Sequence, residues 1–237
     1  MRLVLVRHGQ TPSNISHALD TAMPGADLDE VGAAQAEELA DNFEQLVGSK
    51  PSVIYVSPLN RTLQTAAPLA KKYGLTPLVR EGIREVIAGD IEMSTKGEDI
   101  RTYLSAVLAW IDGDLDWQMP GGEDGWQTRA RFGSVITEAL SSAREEFGSE
   151  ATVVLVAHGA IIRVISATLS GDYNRELVAR YPMENAATTV LEWKGADQNW
   201  MQDRSSWQAV TWSDRPLDSY ELTGGPVVPK ESGLRSN

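Results

Sequence analysis

Residues 2–9 read Arg-Leu-Val-Leu-Val-Arg-His-Gly, and residues 152–159 read Thr-Val-Val-Leu-Val-Ala-His-Gly. Each is a short, unbroken apolar run that stops abruptly at His-Gly. Runs of this length without polar alternation are the mark of strands covered on both faces, as in a parallel sheet. Val53 to Val56 is a third such run and ends at Ser57-Pro58. Between them lie helical patterns. Asp29 is an N-cap for a helix over Glu30–Val47, in which Ala36, Leu39, Ala40 and Phe43 share one face and Gly48 marks the stop. A second helix runs from Asn60 to just before Gly74, with a kink expected at Pro68.

Further along, Leu78-Val79 begins a short strand-like piece that runs towards Glu85, and a long helix is expected from about Asp124 to Phe147. A helix follows His158 and continues to Leu169, with Gly171 as its cap. Thr188–Trp193 and Trp207–Trp212 have the composition of two late strands that pair antiparallel at a sheet edge. Strands alternating with helices predict a three-layer α/β/α sandwich around a mostly parallel sheet. One domain is expected over residues 1–212. Residues 88–125 stand out as an acidic insertion with its own helix, Thr95 to Trp110, that caps the active site. Residues 213–237 are rich in Pro, Gly and Ser and are expected to form an extended tail.

Composition narrows the function. The 237 residues carry a formal net charge of −12 and no basic cluster, which excludes a nucleic-acid backbone as the natural partner. There is no cysteine, so disulfides and thiolate metal sites are excluded. The N-terminal apolar run is too short for a signal-peptide core or a membrane span, so a cytoplasmic protein with no membrane partner is expected. The seven Trp call for a wide apolar core or an aromatic-lined cleft.

In an open α/β sheet the ligand crevice lies at the carboxyl ends of the strands. The three runs end at Arg7-His8-Gly9, at Ser57-Pro58 with Arg61 just beyond, and at His158-Gly159. Two histidines and two arginines therefore converge, beside a polar loop that holds Gln10, Thr11 and Asn14. Two guanidinium forks match a dianionic phosphate. An imidazole in their midst is placed to attack phosphorus.

Arg7-His8-Gly9-Gln10-Thr11, then Asn14, then Ser57-Pro58-Leu59-x-Arg61-Thr62-x-Gln64-Thr65-Ala66, then Ala157-His158-Gly159 resembles the histidine phosphatase superfamily, the phosphoglycerate mutase-like family. The similarity in element order covers roughly the first 195 residues. The resemblance implies His8 as nucleophile, forming a phosphohistidine. It implies Arg7, Arg61, His158 and the adjacent Gly159 as the phosphoryl clamp, with Asn14, Gln10 and Thr11 assisting from the loop. It also implies a carboxylic acid near the end of the third strand, and Glu85 is the position that matches. Glu81, Asp90 and Glu92 lie close by with the same chemistry. No cofactor and no metal are implied. Glu123, Arg129, Arg131 and His17 are assigned no catalytic part; the two arginines are read as surface residues of the long helix.

Within that family a metal-independent phosphomonoesterase acting on a small-molecule phosphate ester is favoured over a phosphoglycerate mutase. The mutase branch usually carries an Arg and a Tyr soon after its catalytic Glu, where this chain has Val86-Ile87-Ala88-Gly89-Asp90. The insertion sets only Lys96 and Arg101 against seven acidic residues, which disfavours a substrate carboxylate and points to neutral or cationic, partly apolar leaving groups. A non-catalytic phospho-ligand binder is the third alternative, and a homo-oligomer is compatible with the chain.

Overall fold

In the computed structural model, which describes residues 1–223, the first apolar run forms β1 (Arg2–Arg7), followed by a short helix α1 (Pro12–Ser16) and by α2 (Glu30–Val47). Then come β2 (Val53–Val56), α3 (Asn60–Tyr73), β3 (Leu78–Val79), α4 (Gly97–Asp112) and α5 (Gly125–Phe147). The chain continues through β4 (Thr152–Ala157), α6 (Gly159–Leu169), α7 (Arg175–Arg180), β5 (Thr188–Trp193) and β6 (Trp207–Ala209). The sheet order is β3-β2-β4-β1-β5-β6, parallel across its first four strands and antiparallel at β5 and β6. The mostly parallel α/β sandwich and the antiparallel late strands are therefore as the sequence predicts.

Both faces of the central strands are dry, which explains their unbroken apolar runs. Leu3, Leu5, Val153 and Leu155 pack with α4, α5, α6 and α7 on one face. Val4, Val6, Val154 and Val156 pack with Leu39 and Phe43 of α2 and Leu69 of α3 on the other. At about 1.5–3 kcal/mol for each fully buried aliphatic side chain, these two layers are the main favourable term of the fold. Parallel pairing sets the level of the strand ends: Arg7 lies opposite Ala157, and Val56 opposite Val156. His8, Ser57 and His158 consequently leave the sheet side by side.

Five details differ from the sequence reading. First, β3 is only two residues long and gives way to a 3-10 turn at Glu81–Ile83, so Glu85 follows that turn and not a strand. Second, the helix of the insertion begins and ends two residues later than expected, stopped by Gly113 in the left-handed region at φ 98°. Third, α6 is capped by Ser170 rather than Gly171. Fourth, the last expected strand breaks at Val210 into β6 and β7 (Thr211–Trp212). Ser213 and Asp214, both with positive φ, turn β7 back onto β8 (Arg215–Pro216).

The fifth concerns the tail. From Ser213 to Thr223 the chain is part of the fold, with Leu217 and Tyr220 buried and the Tyr220 hydroxyl donating to the carbonyl of Trp212. The rest of the expected tail, residues 224–237, lies outside the described residues. No described helix is long and apolar enough to cross a membrane. Tyr220→Ala is expected to cost about 3 kcal/mol of stability, as for other buried aromatics cut back to Ala. Urea denaturation checks this, and an unchanged midpoint would return the segment to the status of a loose tail.

Candidate active site

At the carboxyl end of the sheet a cavity of about 150 Å³ opens between the loop after β1, the loop at residues 18–21, α4 and the first turns of α6. Arg7, His8, Thr11, Asn14, Arg61, Glu85 and Gly159, all singled out in the sequence, line it together. Glycines make the convergence possible. A Cβ on Gly9 would sit 2.5 Å from the carbonyl oxygen of Gly32, and one on Gly32 would sit 2.1 Å from that of Gln10. The loop after β1 thus lies directly on the first turn of α2. Thr65 Oγ1 accepts the Gly9 N–H at 2.9 Å, which explains the second Thr of the Arg61–Ala66 stretch.

His8 is only 4% exposed, and its Nδ1 lies 2.7 Å from the carbonyl oxygen of Gly9. A carbonyl can only accept, so Nδ1 carries the hydrogen and Nε2 keeps its lone pair. Burial, then the charges of Arg61 and Arg7, hold the His8 imidazole well below its ordinary pKa. His158, packed edge-on at 5.3 Å between ring centroids, has the opposite tautomer. Its Nδ1 accepts from Arg61 Nε at 3.2 Å, so Nε2 is the donor to Ser57 Oγ at 2.8 Å. His158 is fully buried behind the cavity wall. In this geometry it orients Arg61 and does not itself present a nitrogen to the cavity, unlike the clamp expected of it.

The arginines are held at their edges. Arg61 donates to the backbone carbonyl of Asp20 at 2.8 Å and has the Asp20 carboxylate 3.7 Å away. Arg7 donates to the carbonyl of Met183, while its buried Nε has no protein partner among the described residues. A Cβ on Gly159 would come within 3.3 Å of that Nε, so Gly159 leaves room for Arg7 to lie against the start of α6. Burial, then the neighbouring Arg163, pulls Arg7 down to about 10. Asn14 Oδ1 accepts from Thr11 N and from Asn185 Nδ2, both at 3.1 Å.

Glu85 is 9% exposed, and its carboxylate is gripped by three backbone donors: Val86 N and Ile161 N at 2.8 Å, and Ala160 N at 3.1 Å. It therefore sits at the amino end of α6, among the free N–H groups of that helix's first turn. The loop carrying it is held from behind by Arg131, whose guanidinium donates to the carbonyls of Gly82, Arg84 and Glu85 and pairs with Glu123 at 2.9 Å. The reading of Arg131 as a surface residue is thus corrected, and Glu123 serves as its partner. Glu92 is taken up by Thr21 N at 2.7 Å and Ala22 N at 2.9 Å, and Glu81 is exposed. Asp90 packs against Gly121. None of these three reaches the cavity.

Gln10 is also absent from the cavity wall. Its side chain donates to Asp29 Oδ2 at 3.0 Å and its backbone N–H to Gln35 at 2.9 Å, so it ties the loop to α2. Sequence reading missed Asp20, Tyr103, Arg163 and Asn185. Only Arg163 left a trace: it stands four residues after Gly159, on the same face of a predicted helix. The aromatic-lined cleft is not found either. Trp110, Trp193, Trp200, Trp207 and Trp212 are buried in the core, Trp117 is packed against it and Trp126 is exposed.

The model of the histidine phosphatase superfamily (branch 1) matches residues 3–204. This chain belongs to that superfamily. It is 34% identical over 197 residues to glucosyl-3-phosphoglycerate phosphatase of Mycobacterium tuberculosis, covering 80% of this chain and 84% of the relative. It is 27% identical to a putative phosphoserine phosphatase of Hydrogenobacter thermophilus, over 82% of this chain and 90% of the relative. The solved native structure of the mycobacterial glucosyl-3-phosphoglycerate phosphatase superposes with a TM-score of 0.72 at 30% identity, covering 90% of this chain and 99% of that one.

Two neutral, buried imidazoles make the folded state of this superfamily member sensitive to acid. His8 and His158 both have pKa values well below 6.5, from burial first and Arg61 next. As pH falls through 6.5 the unfolded chain takes up protons there that the folded chain refuses, so stability falls. The loss is up to about 1.4 kcal/mol per pH unit for each His. The urea midpoint is expected to drop between about pH 7.5 and about pH 5.5, and His8→Asn to halve that slope. A midpoint that is flat or rises on acidification would contradict the assignment.

Proposed function

We propose that this chain is a metal-independent phosphomonoesterase that cleaves small phosphorylated metabolites through a phosphohistidine on His8. The observation that carries the reading is the bond from His8 Nδ1 to the Gly9 carbonyl. It leaves Nε2 as a lone-pair nitrogen in a cavity lined by Arg7 and Arg61. Membership of the superfamily and the phosphatase relatives support the same reaction class.

In the first half-reaction Nε2 bonds to phosphorus as the bond to the ester oxygen breaks. Arg7 and Arg61 draw off charge from the non-bridging oxygens, and Asn14 and Thr11 close the pocket from the α1 side. Positioning and charge stabilisation are most of what phosphoryl transfer requires. Glu85, as its carboxylic acid, gives a proton to the departing oxygen. Its Oε2 accepts a single backbone bond, from Ala160, and so keeps a lone pair for that proton. In the second half-reaction the Glu85 carboxylate takes a proton from water as the water oxygen attacks phosphorus. The phosphorus–nitrogen bond breaks and inorganic phosphate leaves. His158 acts through Arg61, whose Nε it holds.

Two variants assayed in EDTA test the proposal. With p-nitrophenyl phosphate, His8→Ala is expected to abolish turnover, and wild type quenched in alkaline detergent to carry an alkali-stable, acid-labile phosphoryl group that the variant lacks. Glu85→Gln is expected to slow turnover of alkyl phosphates roughly 10²–10⁴-fold. With p-nitrophenyl phosphate, whose leaving group needs no proton, it is expected to give a burst of nitrophenol followed by slow turnover, because hydrolysis of the phosphohistidine still needs the base. Full activity in His8→Ala would remove the mechanism. Wild type that binds vanadate but turns over no ester would indicate a phospho-ligand binder. Isomerisation of phosphoglycerate faster than hydrolysis would indicate a mutase.

A further inference from the structure

The cavity holds a third guanidinium that the phosphoryl chemistry above does not use. Arg163 lies on α6, three residues beyond Ala160 and four beyond Gly159, so it shares their cavity-lining face. Its Nε is buried with no hydrogen-bond partner among the described residues. No carboxylate of the described residues lies within ion-pairing distance of it, and none of its N–H groups donates to a described residue. It is not spent on Glu85, whose carboxylate is already held by three backbone N–H groups. Burial lowers the pKa of Arg163 and the nearby charge of Glu85 opposes that shift, and the half-buried guanidinium stands uncommitted beside the acid.

That position is on the leaving-group side. Glu85 marks where the departing oxygen receives its proton, and its anchors, Ala160 and Ile161, begin the helical turn that leads to Arg163. One turn advances about 5.4 Å along the helix axis. Whatever the ester oxygen is attached to therefore passes Arg163 within a few bonds.

The acidic insertion does not cancel this charge. Its acids are turned away: Asp112 pairs with Arg175, Asp116 accepts from Trp126, Asp99 accepts from Ser94, and Glu98 and Asp114 are exposed. Asp90 and Glu92 are engaged as described above. The insertion's own helix contributes only Tyr103 to the cavity wall. The sequence-based expectation of a neutral or cationic leaving group rested on those acids, and their placement removes its ground.

We infer that Arg163 is the specificity anchor for a carboxylate on the leaving group, close to the ester oxygen, so that the substrates are phosphate esters of small hydroxy acids. One guanidinium satisfies one carboxylate through two parallel hydrogen bonds. A second phosphate dianion would call for another cation, and the cavity offers none beyond Arg7, Arg61 and Arg163 among the described residues. The inference rests on the phosphatase reading and adds the substrate class to it. The names of the relatives agree, since glucosyl-3-phosphoglycerate and phosphoserine are both carboxylated phosphate esters.

Matched ester pairs test it: 3-phosphoglycerate against glycerol 3-phosphate, and O-phosphoserine against O-phosphoethanolamine. Each pair differs at the carboxylate. In wild type the carboxylated member is expected to have the higher kcat/KM by roughly 10–100-fold, the worth of a charge-assisted hydrogen bond. In Arg163→Gln that ratio is expected to collapse towards one in both pairs, and in Arg163→Lys to recover in part. Competitive inhibition of p-nitrophenyl phosphate hydrolysis in wild type gives a second readout that needs no variant: glycerate is expected to inhibit and glycerol not to. Equal kcat/KM within the pairs together with equal inhibition would overturn the carboxylate while leaving the phosphatase standing. A ratio that survives in Arg163→Gln would overturn Arg163 as its anchor. Loss of all ester hydrolysis in wild type would instead defeat the phosphatase reading itself.

Discussion

The hydrogen bond from His8 Nδ1 to the carbonyl of the next residue, Gly9, is the constraint on which the site turns. It demands that the chain double back immediately after β1, and that reversal depends on the close backbone approach of Gly9 and Gly32. It sets the tautomer, and the tautomer decides which nitrogen faces the cavity. Without it the ring would be free to present either nitrogen. The strand, the glycine and the helix beneath are all arranged around holding one imidazole in one orientation.

The second requirement is to keep that imidazole neutral and the surrounding cations charged. Arginine serves here because its guanidinium resists deprotonation even when burial pulls it down, to about 10 for Arg7. The same charges push protons off His8 and His158. Burying unpaired charge is costly, and the partial pairing of Arg61 with Asp20 and the carbonyl bonds of Arg7 and Arg61 offset only part of that cost. The charge of the site is thus complementary to an anion. Glu85 is the exception that proves workable in such a place, because the first turn of α6 supplies its hydrogen bonds and leaves the arginines uncommitted.

Most of the frame was legible in the chain because it follows from local rules. Unbroken runs such as Leu3–Val6 and Thr152–Ala157 have to be buried strands, and parallel pairing has to bring their ends, His8 and His158, together. What sequence reading missed is non-local. Nothing near Arg131 announces that it reaches back to the carbonyls of residues 82, 84 and 85, and nothing near Asn185 announces its bonds to the carbonyl of His8 and to Asn14. Counting charges along the insertion misled for the same reason. Net charge on a segment says little about a cavity when each acid has its own partner or faces solvent. Gln10, adjacent to the true cavity residues, faces α2 because Asp29 and Gln35 are there to receive it.

The most direct measurement is the nitrogen NMR spectrum of His8 in the folded protein, recorded as pH is lowered from 7.5 towards 5.5. The expected result is a protonated Nδ1 and an unprotonated Nε2 throughout, with no titration near the ordinary histidine value. A proton found on Nε2, or a ring that becomes doubly protonated near its ordinary pKa, would contradict an imidazole held neutral and oriented by Gly9.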